Sequence, residues 1–162
     1  MSARTAIVIL NWNGEKFLRQ FLHTLVENTN PGLARICIID NGSTDGSLQF
    51  LSENFSQIQL VKLDKNYGFA GGYNRGLKEI EAEYFMLLNS DVEVGKDWIA
   101  PLVELMDSDP TIGVCGPKLI DYNNRDKFEY AGAAGGYIDK YGYPFCRGRL
   151  FECLETDNGQ HD

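Results

Sequence analysis

The stretch that decides the fold is Tyr84-Phe85-Met86-Leu87-Leu88-Asn89-Ser90-Asp91-Val92-Glu93-Val94. Five apolar residues stop abruptly at a polar cluster. A continuous apolar run of this length, bounded by polar residues, reads as a strand buried on both faces of a parallel sheet. Its carboxyl end delivers Asp91 to the edge where open α/β sheets bind ligands. A carboxylate there can hold a divalent cation, and the cation a diphosphate. A second reading makes Asp91 the cap of a helix beginning near Lys96, because short acidic strand ends are common turn chemistry. The surrounding chain has to discriminate.

The same pattern recurs upstream. Ala6-Ile7-Val8-Ile9-Leu10 ends at Asn11-Trp12-Asn13-Gly14, and Ile36-Cys37-Ile38-Ile39 ends at Asp40-Asn41-Gly42-Ser43. Ile58 to Leu63 forms a shorter third strand. Between the strands, Phe17, Leu18, Phe21, Leu22 and Leu25 recur at helical spacing. Ser47 to Asn54 predicts a second helix, capped by Asp45, Ser43 or Thr44. Asn66 to Gly76 opens a third that runs on through Leu77 and Ile80, and Trp98 to Met106 a fourth, closed by Asp109-Pro110. Strand–helix alternation repeated four times predicts right-handed crossovers, hence an α/β fold of three layers with a mostly parallel sheet.

Beyond Pro110 the pattern changes. Ile112 to Ile120 reads as another strand, in an edge or irregular position because Pro117 cannot donate to a ladder. From Tyr122 the chain is rich in Gly, Tyr and charge, which predicts loops and a hairpin across the sheet's carboxyl edge. The expected division is therefore 1–120 for the α/β domain and 121–162 for the segment that follows it.

At 162 residues the chain is one domain or a piece of a larger one, and its 43% hydrophobic content is ample for a core. The net charge of −8 argues against nucleic acid or an anionic membrane surface as partner. Phosphates can still be held by helix N-termini, glycine amides or a metal. The four cysteines lack metal-ligand spacing; Cys37 and Cys115 read as small core residues, and only Cys146 and Cys153 suggest a pairing. The N-terminus shows no leader pattern, and no apolar run approaches the roughly 18 residues of a membrane helix. A soluble, reducing, cytoplasmic setting is expected, with no membrane-spanning segment.

In a parallel sheet the strand-end clusters fall on one edge, so distant residues converge in one crevice. Asp40 can accept hydrogen bonds from a nucleoside or cap its own loop; Asp45 and Ser43 suffice for the cap, which favours the ligand role. Trp12 can stack on a base or simply pack. Asn66 to Gly76 holds four glycines in eleven residues, which serve either close approach to a ligand or close helix–sheet packing. Dinucleotide and P-loop fingerprints are absent, as are a Ser-His-Asp set and a Cys/His cluster. His23 reads as a surface residue.

The array VILNWNGEKFL, IIDNGSTDGS, NYGFAGGYNRG and LLNSDVEV, in that order, resembles the family 2 glycosyltransferases with a GT-A fold, most closely their bacterial rhamnosyltransferase-like branch. The resemblance covers the whole chain. It implies a Rossmann-like domain that binds a nucleotide-diphospho-sugar, dTDP- or UDP-linked, with magnesium or manganese as cofactor. It also implies a saccharide or lipid-linked acceptor in polysaccharide biosynthesis, and attachment at the inner face of the cell membrane. Asn11, Trp12 and Asp40 match positions that hold the nucleoside; Asn66, Gly68 and Asn74 match the donor-side loop and helix start. Asn89-Ser90-Asp91 stands where the family has its D-x-D, so Asp91 alone keeps the metal-binding carboxylate. The family's catalytic base, an acid near a Gly-rich aromatic stretch, has no match by Asp162. The chain thus reads as the donor-binding portion of an inverting enzyme, incomplete at its C-terminus. Two other readings are a sugar-1-phosphate nucleotidyltransferase, whose Gly-rich loop with Arg is missing after the first strand, and a binding module without catalysis.

Overall fold

The structure is a computed structural model that describes residues 3–130 and 134–161. It divides into two compact units, residues 1–103 and 104–162. The first unit runs β1 (Thr5–Asn11), α1 (Glu15–Glu27), β2 (Ala34–Asp40), α2 (Ser47–Asn54), β3 (Gln59–Lys62), α3 (Gly68–Gly76), a 3₁₀ turn (Leu77–Glu79) and β4 (Tyr84–Leu88). A last helix, α4 (Ala100–Ser108), crosses the division. All four strands are parallel, in the order β3-β2-β1-β4. The predicted α/β architecture is therefore present.

The continuous apolar strands are explained by the two cores. Successive strand side chains point to opposite faces. Ile7, Ile9 and Ile38 face Leu18, Leu22 and Leu25 of α1 and Phe50 and Leu51 of α2. Ala6, Val8, Cys37 and Ile39 face Tyr73 of α3 and Ile80 on the other side. The glycines of α3 let it lie close. A Cβ at Gly76 would come within 2.3 Å of Ile39 Cδ1, and one at Gly72 within 2.8 Å of Leu10 Cδ1. These two glycines serve packing.

Three expectations need correction. β4 is not buried on both faces: Phe85 and Leu87 are 41% and 50% exposed, because β4 ends the sheet and α3 lies over β1 and β2. The fourth helix begins at Ala100 rather than near Lys96; Asp97, at φ 54°, interrupts helical backbone there. Ile112 to Ile120 forms no strand; only Ile120 makes a bridge, to Phe128, and Val114 is 86% exposed. Two glycines and Pro117 weaken any ladder in that stretch.

In the second unit the expected hairpin is present: β5 (Gly136–Ile138) pairs antiparallel with β6 (Pro144–Cys146). A shorter pair follows, β7 (Arg149–Leu150) with β8 (Cys153–Leu154). Ala131, Gly132 and Ala133 of the expected loop lie outside the described residues. The small core here is Phe128 and Ala134, with Ile120 and Cys146 against them. All four cysteines are free thiols, so the suggested Cys146–Cys153 pairing is not formed; Cys37 is buried as expected and Cys115 half-buried. Among the described residues no helix is long and apolar enough to cross a membrane.

Candidate functional site

Parallel register puts the strand ends side by side. Asn11 pairs with Asp40, and Ile9 with Leu88, so the loops after β1, β2 and β4 leave from one edge. The loop after β3 joins them through a bond from the backbone N–H of Leu63 to the Asp40 carbonyl (2.8 Å).

The first two loops are laced together by side chains that accept or donate across the gap. The Asn11 amide donates to Asp40 Oδ1 and to Ser43 Oγ, each at 3.1 Å. Asn13, held at φ 51°, donates its backbone N–H to Ser43 Oγ (2.9 Å) and accepts the Thr44 N–H on Oδ1 (2.7 Å). The Glu15 N–H donates to Asp45 Oδ2 at 3.0 Å, and Glu15 Oε2 accepts the Gly46 N–H at 3.1 Å. Asp45 Oδ1 also takes the N–H of Ser47 (3.0 Å), the first residue of α2, whose N-cap position is Gly46. Burial raises the Asp45 pKa, but the bonds from Ser47 and Glu15 prevail and hold the carboxyl below its ordinary 3.8.

Asn41 ties in the third loop. It is buried, and its amide donates to Asn66 Oδ1 (3.0 Å) and to the Gly68 carbonyl (3.1 Å) while Oδ1 accepts the Tyr67 N–H (2.9 Å). Asn66 Oδ1 accepts the Gly68 N–H as well, at 2.7 Å. Gly68 sits at φ 71° with open space where a Cβ would stand, so this turn is bare backbone facing outward. Tyr73, on the buried side of α3, points its hydroxyl at the carbonyls of Val8 and Leu88 (3.4 Å each), and burial pushes that hydroxyl up from 10.0.

The fourth loop is different. Asn89 and Asp91 are exposed, Ser90 is half-buried, and none of the three has a side-chain hydrogen bond or ion pair among the described residues. Ser90 Oγ lies 3.8 Å from the Cβ position of Gly14, which places this loop beside the one after β1.

The nine residues singled out by sequence therefore fall into two groups. Trp12 (56% exposed), Asn66, Gly68, Asn74, Asn89 and Asp91 present groups to solvent, and Ser90 does so in part. Asn11 and Asp40 are each 1% exposed. Asp40 spends Oδ1 on Asn11 and Oδ2 on the Ser43 N–H (3.0 Å), the loop-capping role that the sequence reading had set second. Asn11 Oδ1 is buried against Gly14 and has no hydrogen-bond partner among the described residues. Asn74 stands nearly two turns along α3 and is not brought to the loops by any bond. Asn13, Asn41 and Glu15 were passed over. The signal for the two asparagines was the repetition of amide side chains at successive strand ends; Glu15, a carboxylate at the start of α1, carried none.

A model of glycosyl transferase family 2 matches residues 6–155. The chain belongs to glycosyl transferase family 2. N-acetylgalactosaminyltransferase 6 of Drosophila melanogaster is 25% identical over 152 residues, 90% of this chain and 22% of that protein. Among solved structures, Staphylococcus aureus TarS (residues 1–349) superimposes with a TM-score of 0.57 at 21% identity, over 75% of this chain and 43% of that one. The Pyrobaculum calidifontis mannosyltransferase PcManGT, in complex with GDP-Man and Mn²⁺, gives 0.61 at 21% identity, over 73% and 36%. At this identity the likeness speaks for the GT-A fold. The chain spans less than half the length of these relatives.

Proposed function

We propose that this chain forms the donor-binding portion of an inverting glycosyltransferase that moves a sugar from a nucleotide-diphospho-sugar to a saccharide or lipid-linked acceptor, with rhamnose as the sugar. The observation that carries the reading is the contrast between three interlaced loops and a fourth that offers an unpartnered carboxylate at the same edge. The nucleoside lies on the interlaced loops, with Trp12 stacked on the base and the Asn66–Gly68 turn and Asn74 along the sugar-phosphate. Asn11 and Asp40 act from beneath, fixing the shape of those loops; groups this buried and bonded position others. Donors such as UDP-GlcNAc, seen with TarS, and GDP-Man, seen with PcManGT, share the diphosphate this arrangement would grip.

Family membership implies a divalent metal. Among the described residues no three His, Cys, Asp or Glu side chains gather to hold one. Magnesium, however, keeps several waters and is commonly held by one or two carboxylates plus substrate phosphates. Asp91, exposed and without a partner, fits that donor set, with the Asn89 and Ser90 oxygens beside it in sequence. A bound cation neutralises charge on the departing nucleoside diphosphate. The residues of this chain orient the donor and leave its sugar accessible; neither Asp40, sealed beneath the loops, nor Asp91, on the diphosphate side, is placed to act as base for the acceptor hydroxyl.

Calorimetric titration of UDP, dTDP and GDP, with and without Mn²⁺, tests the reading. Metal-dependent binding of one nucleotide, lost in Asp91→Ala, is expected. Binding unchanged by Asp91→Ala would favour a metal-independent binding module instead.

A further inference from the structure

The opposite end of the sheet holds a feature that the donor crevice does not use. β3 is the other edge strand, and its flank forms an open groove of about 600 Å³ lined by Gln59 to Leu63 with Arg75, Lys78 and Glu79. Three cations against one acid line this groove in a chain of net charge −8. Lys62 and Lys78 have no ion-pair partner among the described residues. The Arg75 guanidinium carbon lies over the Tyr67 ring, 4.0 Å from its centroid.

Register fixes how the cations are spread. Gln59 and Val61 pair with Cys37 and Ile39 and share their face, the one α3 covers; Leu60 and Lys62 pair with Ile38 and Asp40 and share the other. Cations thus flank the strand on both faces, Arg75 and Lys78 on one and Lys62 on the other. The backbone is open between them. The Leu63 N–H is turned inward to Asp40, so by alternation the N–H and C=O of Leu60 and Lys62 point outward, with no partner among the described residues. The wall from Gln59 to Leu63 spans roughly 13 Å at about 3.3 Å per residue.

We propose that the β3 edge is a docking groove for an acidic, extended segment of another polypeptide, added to the sheet as a fifth strand. An added strand uses the outward main-chain groups for affinity and alternates its side chains between the two faces. Glutamates or aspartates on either face then meet a cation, and apolar residues cover the half-buried Leu60, Val61 and Leu63. Lysine on an edge strand also serves simply to repel other strands. That role accounts for Lys62 alone; it does not account for Arg75 and Lys78, which come from α3 and the 3₁₀ turn after it to line the same groove.

The test is fluorescence anisotropy with a labelled seven-residue peptide of Glu and Val, titrated with the full 162-residue chain. Binding is expected at low salt, weakening by about tenfold or more in Lys78→Glu and in Lys62→Glu, both exposed positions that leave the core intact. A version with proline at every second residue, which cannot donate to a ladder, is expected not to bind. Hydrogen exchange is expected to slow at the Leu60 and Lys62 amides and not at Val61. Absence of binding at about 1 mM, equal binding of the proline version, or indifference to both charge reversals would overturn the proposal. Self-association through β3, seen by sedimentation and abolished by Lys62→Glu, would overturn it in favour of a second copy of this chain.

Discussion

Single amides and single missing methyl groups set the precision of the crevice. Asn41 uses both amide hydrogens and its oxygen on one turn, and it is 2% exposed. Replacing it by Asp turns the twice-donating amide nitrogen into an acceptor oxygen that faces Asn66 Oδ1 and the Gly68 carbonyl, with a buried charge added. A loss of about 3 kcal/mol in urea unfolding is expected, since buried unsatisfied groups cost roughly 1–3 kcal/mol and charged ones more. Nucleotide affinity should fall beyond what the unfolded fraction explains, because the Asn66–Gly68 turn is released. Gly76 tests packing in the same way. Gly76→Ala drives a methyl into Ile39 and is expected to cost about 1–3 kcal/mol. In an Ile39→Ala background that cost should shrink markedly, as contacting residues couple in double-mutant cycles. Additive losses would place the strain elsewhere.

At the level of elements, the sequence declared what it could declare through apolar continuity and helical spacing. β1 and β2 are buried against both cores, and α1 and α2 against one, so their patterns are strong, and Ser47–Asn54 was bounded to the residue. β4 carried the same apolar pattern yet lies at the edge with Phe85 and Leu87 exposed; an apolar run reports what a strand can bury, not which neighbours it has. The stretch from Ile112 to Ile120 failed for the reverse reason: its glycines and proline oppose a ladder that its apolar residues would permit. The convergence of the strand ends on one edge was legible, and the hydrogen bonds that join their loops were not. Periodicity places Asp40 at a strand end, but only the fold shows that Asn11 and Ser43 consume it. Asp45 offers a pH test of the loop lacing. Its pKa is lowered in the folded chain, so its stabilisation is present above the ordinary 3.8 and is lost as pH falls through the lowered value. Asp45→Asn should therefore flatten the fall in thermal stability below about pH 4, relative to the parent chain. An identical acid limb in both proteins would mean that other carboxylates govern it.

At the level of the whole molecule, the two units differ in how much they bury. Residues 1–103 hold a core on each face of the sheet, whereas the described core of residues 104–162 centres on Phe128 and Ala134. Local stability follows buried apolar contact, so opening free energies should differ between the units. Hydrogen exchange is expected to be slowest at β1 and β2, which pair on both sides, and fastest around the β5–β6 hairpin, where Tyr137 and Phe145 are 52% and 54% exposed. A ligand that binds only folded protein stabilises it by RT ln(1 + [L]/Kd), about 2.7 kcal/mol at a hundredfold excess over Kd. At roughly 4–8 °C per kcal/mol for a domain of about 100 residues, a saturating nucleoside diphosphate with Mn²⁺ should raise the transition of the first unit by roughly 10–20 °C. The donor loops all leave strands of that unit, so the melting of the second should stay where it was. Calorimetry with exchange-assigned transitions reads both at once. A common shift of the two would mean that the second unit contributes to the nucleotide site itself, and the donor crevice would then extend beyond the four strand ends.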